Sequence, residues 1–156
     1  MSSSTGSSFL YVTYIRTTPQ KLWDALTQPE FNRKFWFDYW QDCAWQKGAA
    51  WKLTSADGRV ADSGEVLEID PPRRLVLRWR NELRPEAKAE GWSRCTFTME
   101  TSGDTVKLSV AHEIDVPESK FIMGVSDGWP KILSNLKTLL ETGSAPNIMY
   151  VRHDQQ

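Results

Sequence analysis

One apolar stripe governs what this chain can fold into. Trp129, Ile132, Leu133, Leu136, Leu139 and Leu140 recur at i, i+3, i+4, i+7, i+10 and i+11, the spacing of one face of an α-helix. From Tyr39 to Ile114 the pattern instead alternates with the period of two that marks half-buried strands. A sheet with one oily face needs a cover, and no other stretch has a stripe long enough to supply it. The expected architecture is α+β, a curved antiparallel sheet wrapped around one long C-terminal helix.

Six strands are expected in that alternating region: Tyr39 to Trp45, Ala50 to Thr54, Val60 to Ile69, Leu75 to Arg80, Trp92 to Glu100 and Thr105 to Ile114. Their separators are turn residues such as Lys47-Gly48, Asp57-Gly58, Asp70-Pro71-Pro72-Arg73 and Ser102-Gly103-Asp104, so consecutive strands should pair as hairpins. A further strand, Phe9 to Arg16, precedes two short helices. Thr18 suits the N-cap and Pro19 the first turn of the first helix, Pro19 to Leu26. The second runs from Glu30 to Phe35 and turns Phe31 and Phe35 inward. Asn81 to Gly91 is charged and reads as a flexible loop or a frayed hairpin end. The last helix starts either at Asp127, leaving Pro130 in its first turn, or near Glu118, where Pro130 should kink it. Gly143 ends it. The expected organisation is a disordered segment 1–8, one domain 9–143 and a polar tail 144–156 with a single apolar patch, Ile148-Met149-Tyr150-Val151.

Composition narrows the function classes. Lys and Arg total 19 against 20 Asp and Glu, a net charge of -1, which disfavours a nucleic-acid partner. No apolar run reaches membrane-span length and the start lacks a secretory signal, so the expected location is cytoplasmic. Cys43 and Cys95 read as small buried thiols. With two histidines, one of them His153 in the tail, no metal site is expected, and no motif calls for a cofactor. Eight tryptophans are unusual, because large rings build cores and also line apolar sites.

Simple alternation sorts the strand residues into faces. The inner set holds Trp51, Leu53, Leu67, Ile69, Leu75, Leu77, Trp79, Cys95, Phe97, Met99, Val106, Leu108, Val110 and Ile114, and the same parity takes in His112 and Glu65. Two ionisable groups on an oily face must be paired, neutral or wetted by a cavity. The plain reading of His112 is a neutral core histidine; that of Glu65 is a strand-end residue, or a bulge near Gly64 that flips the parity. The functional reading makes both polar anchors of a pocket, or an acid/base pair. Trp36, Trp40, Trp45 and Trp129 suit either core or lining, and Gly128 would leave room for a ligand beside Trp129.

An ordered set of segments carries a family resemblance. It comprises Tyr14-Ile15 with Thr18-Pro19 through Leu22-Trp23-Asp24-Ala25-Leu26-Thr27, then Pro29-Glu30 and Phe35-Trp36-Phe37. Gly64-Glu65-Val66-Leu67-Glu68-Ile69-Asp70-Pro71-Pro72-Arg73-Arg74-Leu75 and Trp79-Arg80 follow, then His112, Gly128-Trp129-Pro130 and Leu136 to Gly143. The chain resembles the activator of heat-shock-protein-ninety ATPase-like family, short single-domain members of the START-like (SRPBCC) superfamily. The resemblance implies the helix-grip fold, a seven-stranded sheet gripping the C-terminal helix, often around an apolar cavity. It also implies carriers, cyclases and stress-response co-chaperones as relatives, so it leaves three functions open. Asp38-Tyr39-Trp40-Gln41 departs from the family's glycine turn and adds aromatic bulk at the expected pocket mouth.

The leading expectation is a site for a small apolar or amphipathic molecule between sheet and helix. Its lining would be Trp36, Trp51, Leu53, Leu67, Leu77, Trp79, Phe97, Val110, Trp129 and Leu133, with Glu65 and His112 for orientation. The alternatives are a cyclase- or hydrolase-type enzyme using His112 and Glu65, and a protein-interaction module. Homodimerisation is left open.

Overall fold

The computed structural model describes residues 6–146. Its elements are β1 (Ser7–Ile15), α1 (Pro19–Thr27), α2 (Pro29–Phe35), β2 (Trp40–Cys43), β3 (Ala50–Thr54), β4 (Val60–Asp70), β5 (Arg74–Asn81), α3 (Pro85–Lys88), β6 (Ser93–Ser102), β7 (Thr105–Ile114) and α4 (Lys120–Thr142). The seven strands form one antiparallel sheet in the order β1-β7-β6-β5-β4-β3-β2. This is the helix-grip arrangement, a meander from β2 to β7 with β1 added beside β7.

Local chemistry explains most boundaries. Thr18 caps α1 by accepting from the Lys21 amide at 3.2 Å, and Pro19 and Pro29 occupy first-turn positions that need no donor. Gly143 ends α4 with φ of 94°, a left-handed conformation that glycine adopts without steric cost. At the same end, Lys137 Nζ donates to the Tyr14 carbonyl at 2.5 Å and Glu141 accepts from the Arg16 amide at 2.8 Å, fastening the helix to β1.

Two expectations need correction, and a third, left open, is decided. Ser7 and Ser8 belong to the segment expected to be disordered, yet they pair with Ile114 and Glu113 in β1. The loop after β5 is ordered and contains α3, whose Ala87 is buried. Its Asn81 side chain accepts from the amides of Leu83 and Arg84 at 3.1 and 2.7 Å and so shapes the turn into α3. That loop also decides where α4 begins. The Glu90 carboxylate accepts from the Ser119 hydroxyl and from the Lys120 and Phe121 amides, at 2.5, 2.8 and 3.2 Å. Ser119 itself caps Ile122. A carboxylate on free N–H groups at a helix start is stabilising, so α4 begins at Lys120, not at Asp127, and runs on through Pro130. Residues 1–5, the apolar patch Ile148-Met149-Tyr150-Val151 and His153 lie outside the described residues.

The core is one cluster between the concave face and α4. Trp51, Leu77, Phe97, Val110 and Leu133 are all buried there. The expected gap between sheet and helix is packed: Trp51 and Trp79 stand 4.3 Å apart and Phe97 and Trp129 5.8 Å apart, centroid to centroid. What remains open lies to one side, at the N-terminal half of α4.

Candidate functional site

Strand β4 decides which polar side chain faces that opening. Between Val66 and Glu68 the register with β5 slips, leaving Leu67 as an extra residue. A second slip lies between Leu53 and Thr54 opposite β4, where Ala61 is the extra residue. Each bulge inverts the alternation. Ile69 and Val66 therefore both point inward, and between the bulges the even-numbered residues do so, Asp62 among them. Glu65 falls on the outer face, opposite Arg78, which it meets at 3.4 Å. Leu67 borders a shallow outer groove with Arg78 and Trp92. The expected inward placement of Glu65 and Leu67 is thus corrected.

Gly64 enables the close pairing between these bulges. A Cβ there would lie 1.6 Å from the Arg78 carbonyl oxygen, so only glycine lets β5 approach this closely.

Asp62 is 7% exposed and lines a cleft of about 120 Å3. The walls come from four places. The α2–β2 corner gives Trp36, Phe37 and Tyr39; β3 to β5 give Leu53, Ala61, Trp79 and Asn81; the loop before α3 gives Leu83 and Arg84; and α4 gives Phe121, Gly124, Val125, Gly128, Trp129 and Ile132. The corner is held from below. Asn32 donates to the Ala25 and Leu26 carbonyls and accepts from the Gln41 amide, while Gln41 accepts from the Trp51 indole. Phe37 and Asp38 both have positive φ, 51° and 67°, which is costly for residues with side chains. An ion pair from Arg33 to Asp38 at 2.8 Å supports the turn. It sends Phe37 and Tyr39 to the cleft, whereas the Trp40 ring lies under Arg33.

The Asp62 carboxyl is half satisfied. The Trp79 indole N–H and the Asn81 amide both donate to Oδ1, at 3.0 and 3.1 Å. Oδ2 has no donor among the described residues. Burial, opposed by those two hydrogen bonds, pushes the Asp62 pKa up to about 7. Gly128 faces the same space: a Cβ there would find nothing nearer than Ile132 Cδ1 at 4.0 Å.

His112 is closed by contrast. It is fully buried, its Nδ1 accepts from the Trp129 indole at 3.2 Å, and its Nε2 lies 3.1 Å from the Ser93 hydroxyl, which donates to the Trp79 carbonyl at 2.8 Å. The indole contact leaves the proton on Nε2, so the neutral ring satisfies every member of the chain. Burial lowers its pKa to about 3. The structure does not join His112 and Glu65, which lie on opposite faces of the sheet.

Of the twelve residues read from the sequence as a site, Trp36, Leu53, Trp79 and Trp129 line the cleft. Trp51, Leu77, Phe97, Val110, His112 and Leu133 lie in the packed core. Asp62, Asn81, Arg84, Phe121 and Gly124 were missed. A signal for Asp62 existed: Val66-Leu67 breaks the alternation and Gly64 sits inside a strand, both marks of a bulge.

Residues 16–141 match the family model described as Activator of Hsp90 ATPase homolog 1-like protein. Solved structures with similar folds include the protein MLL2253 from Mesorhizobium loti, with 25% identity and a TM-score of 0.73, covering 86% of this chain and 96% of that one. The Aha1 dimer from Colwellia psychrerythraea gives 18% and 0.68 over 88% and 98% of the two chains. PFC0360w, an HSP90 activator from Plasmodium falciparum, gives 20% and 0.69 over 85% and 95%. These two likenesses establish a shared fold. No curated protein matches the sequence significantly. Among the described residues, no helix is long and apolar enough to cross a membrane.

Proposed function

The chain belongs to the activator of Hsp90 ATPase homolog 1-like family, and from that premise and the geometry of its cleft we propose that it binds a small, mainly apolar molecule there. The supporting observation is an aromatic-walled space that meets a carboxyl oxygen, Asp62 Oδ2, with no donor among the described residues. With its sister oxygen already engaged by two donors, this one is free to accept from whatever occupies the cleft. Gly128 adds to the reading. Glycine inside a helix costs about 0.5–1 kcal/mol relative to alanine, and no neighbour requires its small size here.

Size limits the occupant. At about 120 Å3 the cleft falls below the roughly 300–1,000 Å3 of sites that enclose drug-sized molecules. It is closer to the roughly 150 Å3 cavity that holds benzene. It suits a single ring or the end of a chain, with any remainder of the ligand outside.

The test is a titration of the full chain with single-ring and short-chain ligands, followed by tryptophan emission and melting temperature. Binding should shift both, since a ligand of the native state alone stabilises it. In Gly128→Leu the added side chain should occupy the cleft and abolish both shifts while the melting temperature of the free protein stays level or rises. Equal responses from the two proteins would place the ligand elsewhere and sink the reading.

A further inference from the structure

We propose that the ligand presents a protonated organic amine to Asp62, its nitrogen donating to Oδ2 and its hydrocarbon part lying against the aromatic walls. This rests on the cleft being a binding site and adds the ligand's charge. Oδ1 already holds two donors. An ionised carboxylate only accepts hydrogen bonds, so Oδ2 calls for a donor. A neutral donor would leave the buried charge uncompensated, whereas an ammonium supplies the hydrogen bond and the countercharge together.

The surrounding charges agree with this choice. Helix α4 contributes Phe121, Gly124, Val125, Gly128, Trp129 and Ile132 to the cleft, all without charge, and the α2–β2 corner and β3 likewise contribute none. Charge comes from the segment after β5. Glu82 is engaged by Arg80 and Lys88 at 2.7 and 3.1 Å. Arg84 borders the cleft, but its Nε pairs with Glu86 at 3.3 Å and its guanidinium packs over Gly124. No cation among the described residues bonds to Asp62. An anionic ligand would gain Arg84 at the rim and meet Asp62 inside.

Protonation sharpens the expectation. The carboxyl titrates near neutrality, so amine affinity should rise as pH increases through about 7 and fall again only when the amine loses its own proton.

The experiment compares benzylamine, benzyl alcohol and benzoate, which share a ring and differ in charge, by calorimetry with the full chain. Benzylamine should bind about tenfold more tightly than benzyl alcohol, the increment of a charge-assisted hydrogen bond, and benzoate more weakly than either. Asp62→Asn should erase that preference with its circular dichroism unchanged. If Asp62→Asn does not fold, the pH series on the unaltered protein decides, since benzylamine affinity must climb several-fold between about pH 6 and about pH 8. Equal binding of all three probes, a lead for benzoate, or a flat pH series overturns the amine inference and leaves the binding site standing. Silence from all three probes, and from the wider ligand set above, overturns both.

Discussion

His112 and Asp62 occupy the same concave face, each is almost wholly buried, and each bonds to a tryptophan indole. Their surroundings nevertheless finish differently. The imidazole has a partner on both nitrogens, and its chain ends on a backbone carbonyl. The carboxyl has two donors on one oxygen and none on the other among the described residues. A buried polar group with every bond made is part of the scaffold, and one with a bond missing beside a cavity is a candidate contact for something else. Chemical type alone would have favoured the histidine. The count of satisfied atoms favours the aspartate.

The largest expected effect tests the closed side. His112→Ala should lower unfolding free energy by roughly 3–5 kcal/mol in urea, because it opens a ring-sized void and strands the Trp129 N–H. A loss below about 1 kcal/mol would show that the imidazole is not structural.

The next prediction sets the two groups against each other through pH. The His112 pKa is lowered to about 3 by burial, so its contribution to stability is present above its unfolded value near 6.5 and is lost as pH falls. The Asp62 pKa is raised to about 7, so its contribution is present below its unfolded value near 3.9 and is lost as pH rises. Between about pH 4.5 and 6.5 the two slopes oppose each other, each reaching roughly 1.4 kcal/mol per pH unit at most. Asp62→Asn should therefore make stability climb with pH across that window, and His112→Gln should make it fall. Denaturant midpoints measured across the range decide this; parallel profiles in both variants would break the contrast.

The smallest effect concerns the open side alone. Gly128→Ala should raise stability by up to about 1 kcal/mol, since the methyl meets only Ile132 Cδ1 at 4.0 Å. Destabilisation would mean that the space beside Trp129 is not free.

Much of the fold was legible in the residues. The alternation on β7 places Val106, Leu108, Val110 and His112 inside as read, and the termini of β3 and β7 fall where the turn residues put them. The Thr18 cap and the Gly143 stop were visible because each is a local steric or hydrogen-bonding preference. The site was less legible. Trp36 and Trp129 could be named as large rings near the expected mouth, but Trp51 looked equally suitable and is core. A ring's identity does not say whether its neighbours close over it.

The residues by themselves determined the hairpin meander from β2 to β7, the single covering helix and the face of β7 that meets it, because hydrophobic periodicity and turn chemistry act over a few neighbours, whereas β1 reaches its place beside β7 through a pairing distant in sequence. Tertiary pairing decided the rest. Alternation survives only while each strand residue has one partner, and the slips of β4 against β3 and β5 exchanged Glu65 for Asp62 at the inner face. Glu90, far from α4 in sequence, supplied the cap that extends the helix back to Lys120 and brings Phe121 and Gly124 to the cleft. Both outcomes depend on groups distant along the chain meeting in space, which no local pattern records.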